Sequence, residues 1–372
     1  MRSYKYRNIT IVMLVIIFTF TIIPNALGKT RQNYLTDFIY ENEIKGRGFK
    51  NNVNAGNRLL DVSPQATANA LDILDRYGMG VHELTELQSV LEDFIETMFK
   101  DDAVSLYDLY YLLKALGNNI IDYSIDESMK NEIRQYLNAT EQTNGGFSIS
   151  NASTSTSISS TYFAYKIFSL VSPHQALQNI SKHINWIKSC NNSDGGYGGN
   201  RSLSSSILNT YYAVSLLDKL ATIDDLADKN QTLSYLNSYL VNNPSDTENF
   251  GGYLPDLTSQ YTLISSTYYC VTTISIIDKA ILNAKQTTSW VLSRQYFGDG
   301  GFAEKTAEAD DLSSSVILSF YAFEILRTFN RLNSLNVEVW MVEFDYTILY
   351  IIFGCIGVIA AISIFIWRRR RI

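Results

Sequence analysis

Proline, cysteine and histidine are all scarce in this chain: its 372 residues include five, three and three of them, respectively. Proline interrupts helices, so its scarcity favours long helical segments. The few cysteines decide little, because Cys355 lies in an apolar run near the C terminus and only Cys190 and Cys270 remain as candidates for a disulfide. In an oxidising compartment these two either pair or stay as buried thiols, and the sequence leaves both alternatives open.

Positive charge is also scarce between the two ends of the chain. Seven of the 30 lysines and arginines lie within the first seven or the last five residues, which leaves 23 basic residues against 37 acidic ones. That balance argues against nucleic acid as a partner. Apolar residues are plentiful, at 46% of the chain, and there are 25 tyrosines. This composition allows a large buried core in one or two domains.

Residues 1–28 have the pattern of a signal peptide or an N-terminal membrane segment. Basic residues precede an apolar run over residues 9–23, and Ala26 and Gly28 are small residues at the spacing that a signal peptidase requires. We interpret this segment as a cleaved signal peptide, with an uncleaved anchor as the alternative.

Residues 345–367 are predicted to form a single transmembrane helix, joined to the rest of the chain by a juxtamembrane linker over residues 331–344. Residues 346–367 carry no charge and are long enough to span a bilayer. Four arginines follow in the basic tail, residues 368–372, and such residues favour the cytoplasmic side. We therefore expect a single-pass protein of the cell membrane whose middle part is extracytoplasmic.

Asn-X-Ser/Thr sequons agree with that location, because this motif is the acceptor for N-glycosylation in exported proteins. The sequence predicts a glycoprotein from six of them. They begin at Asn138, Asn151, Asn179, Asn191, Asn200 and Asn230.

A repeat with a period of about 50 residues dominates the middle of the chain. Four copies pair two glycines and an aromatic residue with a later segment that begins with Thr or Ser and continues with aromatic residues. The glycine pairs are Gly145–Gly146, Gly195–Gly196, Gly251–Gly252 and Gly300–Gly301, and the later segments begin at Thr161, Thr210, Thr267 and Ser319. Two degenerate copies, over residues 46–71 and 106–113, bring the number of units to six between residues 31 and 330.

Each unit is predicted to contain an outer helix, a glycine turn, a polar loop and an inner helix. Residues 178–190 have one apolar stripe, typical of an outer helix, whereas residues 157–170 are apolar on more than one face, typical of a helix buried between neighbours. Glycine permits the sharp turn after the outer helix because it tolerates positive φ. We therefore predict an all-α, six-repeat (α/α)6 toroid, a double-walled helical barrel over residues 31–330. An open solenoid is the alternative.

The glycine turn followed by a Thr-Tyr-aromatic-Ala helix resembles the repeat of protein prenyltransferase β subunits and squalene cyclases, the terpenoid cyclase and protein prenyltransferase superfamily. Trp290, Gln295 and the run Asp299–Phe302 are similar to the tryptophan and glutamine pattern of that repeat. The resemblance covers most of the predicted ectodomain. It is specific for the fold and much less so for the activity, because function depends on the site.

The zinc site that the prenyltransferase resemblance implies is missing from the sequence. That branch holds zinc with an Asp, a Cys and a His, but residues 261–264 contain neither Asp nor Cys at the matching place. Asp311 occupies the Asp-like position of the sixth repeat, while Ser314 stands where the family has its His. We therefore expect no metal and no cofactor.

The cyclase resemblance implies a different candidate site, an acid that protonates an alkene or an epoxide. Glu308, Asp310 and Asp311 resemble that motif, with Asp310 as the acid and the other two as its supports. The structural alternative is that these acidic residues cap the inner helix of the sixth repeat, and we favour that alternative.

The recurring inner-helix tyrosines Tyr162, Tyr211, Tyr268 and Tyr321 are candidates for lining a cavity, since aromatic faces suit apolar or cationic guests. Packing between helices is the alternative that we favour.

The hypothesis that follows is an extracytoplasmic ligand- or partner-binding toroid without the zinc site, with an isoprenoid or other apolar ligand, or an extracellular protein, as its partner. The alternative is a divergent prenyl transferase or acid-initiated terpene cyclase that uses Asp310 or Asp311. A glycan-active toroid needs paired carboxylates at a cleft, and no convincing pair is present. The thioester motif of complement-type toroids is absent, so that chemistry is excluded.

Overall fold

The computed structural model describes residues 28–339, apart from 57, 174, 176, 221–222 and 305–313, together with residues 368–369. These residues fall into two compact units. One unit is Gln32–Leu335 and holds the repeats. In the other, strand β1 (Lys29–Thr30) pairs antiparallel with strand β8 (Glu338–Val339).

Within residues 28–339, outer and inner α-helices alternate along the sequence. The outer helices are α1 (Arg31–Glu41), α3 (Leu84–Lys100), α5 (Glu127–Thr140), α7 (Ile180–Lys188), α9 (Lys229–Asn237) and α11 (Ala284–Ser293). The inner helices are α2 (Pro64–Arg76), α4 (Leu106–Leu116), α6 (Ile158–Val171), α8 (Ile207–Leu220), α10 (Ile264–Asp278) and α12 (Val316–Thr328). Short 3₁₀ turns occupy Leu59–Asp61, Ile223–Asp225, Lys279–Ile281 and Leu332–Asn336.

Two-residue antiparallel strand pairs stand between the outer and the inner helix of three repeats. They are β2 (Glu43–Ile44) with β3 (Gly48–Phe49), β4 (Phe147–Ser148) with β5 (Thr156–Ser157), and β6 (Tyr197–Gly198) with β7 (Ser205–Ser206). Isolated bridges at Tyr253 and Phe302 occupy the same place in the fifth and sixth repeats.

The inner helices form a closed ring. Each packs against the inner helix of the next repeat, and α12 packs against α2. The outer helices α3, α5, α7, α9 and α11 each contact the inner helix of their own repeat. Inner helices bury several faces: α6 buries five consecutive residues, Ser160–Ala164, whereas α7 buries only His183, Trp186 and Ile187. The closed toroid is therefore the observed architecture, and the open solenoid is excluded.

In each of the four repeats that have a glycine pair, the pair lies against the outer helix of the next repeat. The first glycine has positive φ, as at Gly145 (95°) and Gly195 (88°). The second has no room for a side chain, because a Cβ on Gly146 would lie 2.6 Å from the Trp186 ring of α7. A Cβ added to Gly196 would likewise clash with the Tyr235 ring of α9, and one added to Gly252 would clash with the Trp290 ring of α11.

The sixth glycine pair closes the ring on the first repeat. Gly300 has φ of 93°, and a Cβ added there would lie 2.2 Å from the carbonyl oxygen of Tyr34 in α1. A Cβ on Gly301 would lie 2.7 Å from the ring of Phe38. Phe38 therefore has the same role in α1 as Trp186 has in α7.

A second closing contact joins the first repeat to the start of α12. The carbonyl oxygen of Asn51 accepts the Val316 N–H at 2.8 Å, and its side-chain Oδ1 accepts the Ile317 N–H at 3.1 Å. The same kind of contact occurs where α10 begins, because the Glu304 carboxylate of the sixth repeat accepts the N–H groups of Ile264 and Ser265. Free helix N–H groups are thus paired by the following repeat.

Where it is present, the recurring Thr or Ser links the inner helix to the glycine turn of its own repeat. The Thr161 hydroxyl accepts the N–H of Phe147 at 3.0 Å and donates to the carbonyl of Ser157 at 2.8 Å. Thr210 makes the same two bonds, to Tyr197 and Ser206. In the sixth repeat Ser319 accepts the Phe302 N–H at 3.0 Å, so a serine hydroxyl is sufficient.

The predicted fold was wrong in one respect, the C-terminal transmembrane helix. No helix among the described residues is both long and apolar enough to cross a membrane. The longest of them, α3, has 17 residues and carries charges in its sequence, whereas a span needs about 20 apolar residues. Residues 1–27 and 340–367, on which the predicted signal and transmembrane segments fall, lie outside the described residues apart from Gly28.

We expect Gly300→Ala to destabilise the protein by at least the cost of a strained backbone, about 1–3 kcal/mol, because it adds a clash with the Tyr34 carbonyl. The matched control is Gly78→Ala, since Gly78 also has positive φ but has nothing within 4 Å of an added Cβ. Urea unfolding measures both. Equal losses in the two variants would contradict the closing contact.

Thr210→Val should lower the free energy of unfolding by about 1–3 kcal/mol, because it leaves the buried N–H of Tyr197 without an acceptor. Thr210→Ser retains the hydroxyl and should be closer to the natural protein in thermal unfolding. If valine, which keeps a methyl group here, were as stable as the natural protein, the hydrogen bond would not explain why this residue recurs within the repeats.

Candidate functional site

The inner helices surround a cavity of about 400 Å³ in the unit Gln32–Leu335. Its walls come from the same two positions of successive inner helices, directly after the recurring Thr or Ser, whose place Leu109 takes in α4. The lining aromatic residues at these positions are Tyr110, Tyr111, Tyr162, Phe163, Tyr211, Tyr212, Tyr268, Tyr269, Phe320 and Tyr321. Helix α2 differs, because it has Ala68 and Asn69 at these positions.

The aromatic rings contact one another across the helix interfaces. Tyr268 and Tyr321 stack with centroids 4.4 Å apart and an interplanar angle of 6°, and Tyr162 stacks on Tyr212 at 4.4 Å and 29°. The sequence left two roles open for the inner-helix tyrosines, lining a cavity and packing between helices. The structure shows both, because these residues line the cavity and also pack together: Tyr162, Tyr211, Tyr268 and Tyr321.

The tyrosine hydroxyls pair with one another and with a buried glutamine. Tyr269 and Tyr321 hydroxyls are 2.9 Å apart, and Tyr211 joins the hydroxyls of Tyr162 and Tyr268 at 3.3 and 3.4 Å. Gln65 of α2 donates through Nε2 to Tyr111 and Tyr321, and its Oε1 accepts a bond from Tyr107. Gln65 is 5% exposed, so these bonds satisfy a polar group that burial would otherwise penalise.

Burial keeps the central tyrosines neutral. Removal from water, the largest cause, raises the pKa of Tyr111, Tyr162 and Tyr268 well above the usual value. Elsewhere in the core it raises the pKa of Tyr77 and Tyr197 to about 12. The rings therefore present neutral hydroxyls and aromatic faces.

Charged side chains line the cavity one helical turn beyond the aromatic residues, towards the ends of the inner helices. Lys114 Nζ lies 2.5 Å from Asp72 Oδ2 and 4.7 Å from the centre of the Phe320 ring. Glu324 pairs with Arg327 at 2.5 Å. Lys166 lies above the rings of Tyr110 and Tyr162, at 5.7 and 5.9 Å from their centres.

Asn69 is a buried polar residue on the cavity wall. It is 1% exposed, and its Oδ1 is 3.5 Å from Lys114 Nζ. Its Nδ2 donor has no hydrogen-bond partner among the described residues. A buried donor without an acceptor costs about 1–3 kcal/mol, so it marks a place where an acceptor atom of a ligand would be stabilised.

The predicted acidic candidates, Glu308, Asp310 and Asp311, lie outside the described residues. The flanking structure does show where α12 begins: its N-cap is Ser315, whose hydroxyl accepts the Leu318 N–H at 3.3 Å. This cap lies four residues beyond Asp311, so it is Ser315 and not the acidic run that occupies the N-cap position. Glu304, just before the run, caps α10.

Metal binding has no candidate cluster in the described part of the chain, where no group of three His, Cys, Asp or Glu side chains could hold an ion. His183 is fully buried in α7, and its Nδ1 lies 2.6 Å from the Gly145 carbonyl oxygen, away from the cavity. Cys190 and Cys270 are both buried free thiols, so the disulfide that the sequence left open is not formed.

The sequon asparagines differ in their exposure. Asn138, Asn151, Asn179 and Asn230 are exposed, whereas Asn191 and Asn200 are half-buried. The Asn191 side chain donates to the carbonyl oxygens of Gly195 and Gly196, so it is already part of a glycine turn.

The fold and the site together define a closed double-walled helical toroid with an aromatic central cavity. The family model "Prenyltransferase alpha-alpha toroid domain" matches residues 83–302 and 172–344, together more than half of the chain. The protein belongs to this family, as its repeats predicted.

Two solved structures are similar to it at the level of the fold. A protein geranylgeranyltransferase-I from Candida albicans, complexed with GGPP, has a TM-score of 0.51 and 16% identity, covering 65% of this chain and 73% of that one. A variant of the type II terpene cyclase MstE from Scytonema, without ligand, has a TM-score of 0.50 and 11% identity, covering 82% and 97%. No curated protein matches the sequence.

Sequence reasoning missed Gln65, Asn69, Lys114 and Lys166. A signal for the two lysines was present: the aligned inner helices carry Asp72, Lys114, Lys166 and Glu324 at one shared position, three residues after the second cavity-lining position. Gln65 and Asn69 had no such signal, because each depends on contacts with other helices.

Stability should fall as the pH rises above about 10, the pKa of tyrosine in an unfolded chain. Burial raises the pKa of Tyr77, Tyr197 and the central tyrosines, so the folded state holds more protons there and loses stability as the pH increases. Phenolate absorbance, compared between folded and urea-unfolded protein, measures this. Coincident titrations in the two states would contradict it.

Proposed function

We propose that this protein is a ligand-binding member of the prenyltransferase toroid family. Its central cavity would accept one small molecule with an apolar body and an oxygen atom that accepts a hydrogen bond. The observation that carries this proposal is the buried Nδ2 donor of Asn69, which has no hydrogen-bond partner in the described ranges and lies on the wall of a cavity lined by aromatic residues. A volume of about 400 Å³ lies within the usual range for small-molecule sites.

The tyrosines support an apolar body for the ligand. Because their hydroxyls are largely bonded to one another and to Gln65, the tyrosines offer a guest mainly their ring faces, while the charged side chains line the cavity one helical turn away. Aromatic faces contact apolar and unsaturated groups favourably. An isoprenoid alcohol such as farnesol meets both requirements, since it is apolar and ends in a hydroxyl oxygen.

The carboxylates that line the cavity favour binding over acid catalysis. An acid that protonates an alkene must itself be protonated near an apolar space. Asp72 and Glu324 each form an ion pair at 2.5 Å, with Lys114 and Arg327 respectively. Burial raises the pKa of Glu324, so it is the lining carboxylate that comes nearest to the requirement, but Arg327 opposes it.

The binding proposal is tested by calorimetric titration of the full-length protein with farnesol, and by mass spectrometry of small molecules that copurify with it. Asn69→Phe should weaken binding about tenfold or more, because it places in α2 the aromatic side chain that fills this position in the other inner helices. The control, Asn237→Phe, changes an exposed residue of α9 and should bind normally. The proposal is wrong if the natural protein does not bind farnesol, or if Asn69→Phe and Asn237→Phe bind it equally well.

A divergent isoprenoid-active enzyme is the second candidate, and the family membership favours it. It would transfer a prenyl group or start a cyclisation with Asp310 or Asp311. Incubation with geranylgeranyl diphosphate, followed by chromatography of the products, distinguishes it: turnover that disappears in Asp310→Asn would favour the enzyme over a binding module.

A further inference from the structure

Lys166 differs from the other lysine of the cavity in its surroundings. Lys114 Nζ is held by the Asp72 carboxylate, whereas among the described residues no carboxylate lies within ion-pair distance of Lys166. Its amine instead lies above the faces of Tyr110 and Tyr162. Lys166 is half-buried on α6 and lines the cavity, so a guest in the cavity can reach its amine.

The electrostatic surroundings favour the neutral amine of Lys166. Removal from water is the main cause that lowers the pKa of this lysine, and the positive charges of Lys114 and Lys219 lower it further. Of the other charged groups along this wall, Asp72 and Glu324 are each held by a nearer cation. A neutral lysine amine that is largely removed from water and lies near a second cation is a nucleophile towards carbonyl carbon.

We propose that Lys166 binds an aldehyde ligand covalently, as a Schiff base, inside the central cavity. This inference rests on the proposed function, because the ligand must first enter the cavity. It names the ligand class more narrowly, as an aldehyde with an apolar, preferably conjugated body.

The reaction needs no other reactant. The lone pair of Lys166 Nζ attacks the aldehyde carbon, a C–N bond forms, and the carbonyl oxygen takes up a proton from the nitrogen. The hydroxyl of the resulting carbinolamine then takes up the proton that the lysine ammonium released before the attack and leaves as water, while the nitrogen keeps its remaining proton. Starting from the ammonium form, one ammonium and one aldehyde give one protonated imine and one water, with no change in charge and no electron transfer.

The aromatic rings beside Lys166 would stabilise the protonated imine that the reaction forms. The protonated imine is a cation in the place of the ammonium, above Tyr110 and Tyr162. Aromatic faces attract such a cation by about 0.5–2 kcal/mol, more when water is excluded. The Asn69 Nδ2 donor on the same cavity wall is available to a polar group elsewhere on the ligand.

The test uses full-length protein, cinnamaldehyde as the probe and cyanoborohydride to trap the imine, followed by peptide mass spectrometry. We expect one adduct per chain, at Lys166, in about tenfold excess over any other lysine because binding in the cavity raises the local concentration. Lys166→Arg should abolish it. Lys219→Arg, at a more exposed lysine of α8, should leave labelling of Lys166 in place. Farnesol should protect Lys166 from labelling.

Cinnamyl alcohol, which has no carbonyl group, separates this inference from the proposed function. If the alcohol binds in calorimetry but the aldehyde leaves no adduct at Lys166, the Schiff base is wrong and the binding proposal stands. If neither compound binds, the proposed function fails as well. Adducts spread evenly over surface lysines would also overturn the inference, and mapping of the natural protein gives that answer even if Lys166→Arg does not fold.

Discussion

This structure depends on one recurring contact: the glycine turn of one repeat packs against the outer helix of the next repeat. A turn without side chains lets the backbone approach an aromatic ring, as Gly146 approaches Trp186. The same contact recurs around the ring and ends where Gly301 meets Phe38 of the first outer helix. Because closure directs every inner helix towards one axis, the central cavity is a consequence of the turns.

Closure removes solvent from most faces of the inner helices, and this explains the composition of the centre. Aromatic residues fill the shared space, and their hydroxyls must pair with one another because water is excluded. Gln65 completes that pairing from α2. The same helix contributes Ala68 and Asn69 where the others contribute aromatic residues, and the space beside Asn69 is where the cavity lies.

The functional interest of the protein lies in such departures from the repeat. Lys114 and Lys166 occupy equivalent positions, yet of the two only Lys114 forms an ion pair within the described ranges, with Asp72 of the preceding inner helix. At the same position α8 and α10 carry the uncharged residues Ser215 and Thr272. The charges of the cavity are therefore unevenly distributed around a nearly symmetric frame, and an asymmetric guest can be oriented by that difference.

The sequence by itself determined the six units, the order of outer and inner helices and the place of each glycine turn, because these follow from local periodicity and backbone freedom. It also indicated that the ring of repeats closes, because the last unit keeps its glycine turn at Gly300–Gly301. Only the tertiary structure decided that Gly301 contacts Phe38. The same holds for the unpaired Asn69 Nδ2 donor and for the lack of a carboxylate beside Lys166 in the part of the chain that the structure describes, since these facts join residues from different repeats. A pattern along one chain contains no distances between helices, and a buried group is satisfied or unsatisfied only by neighbours that folding brings to it.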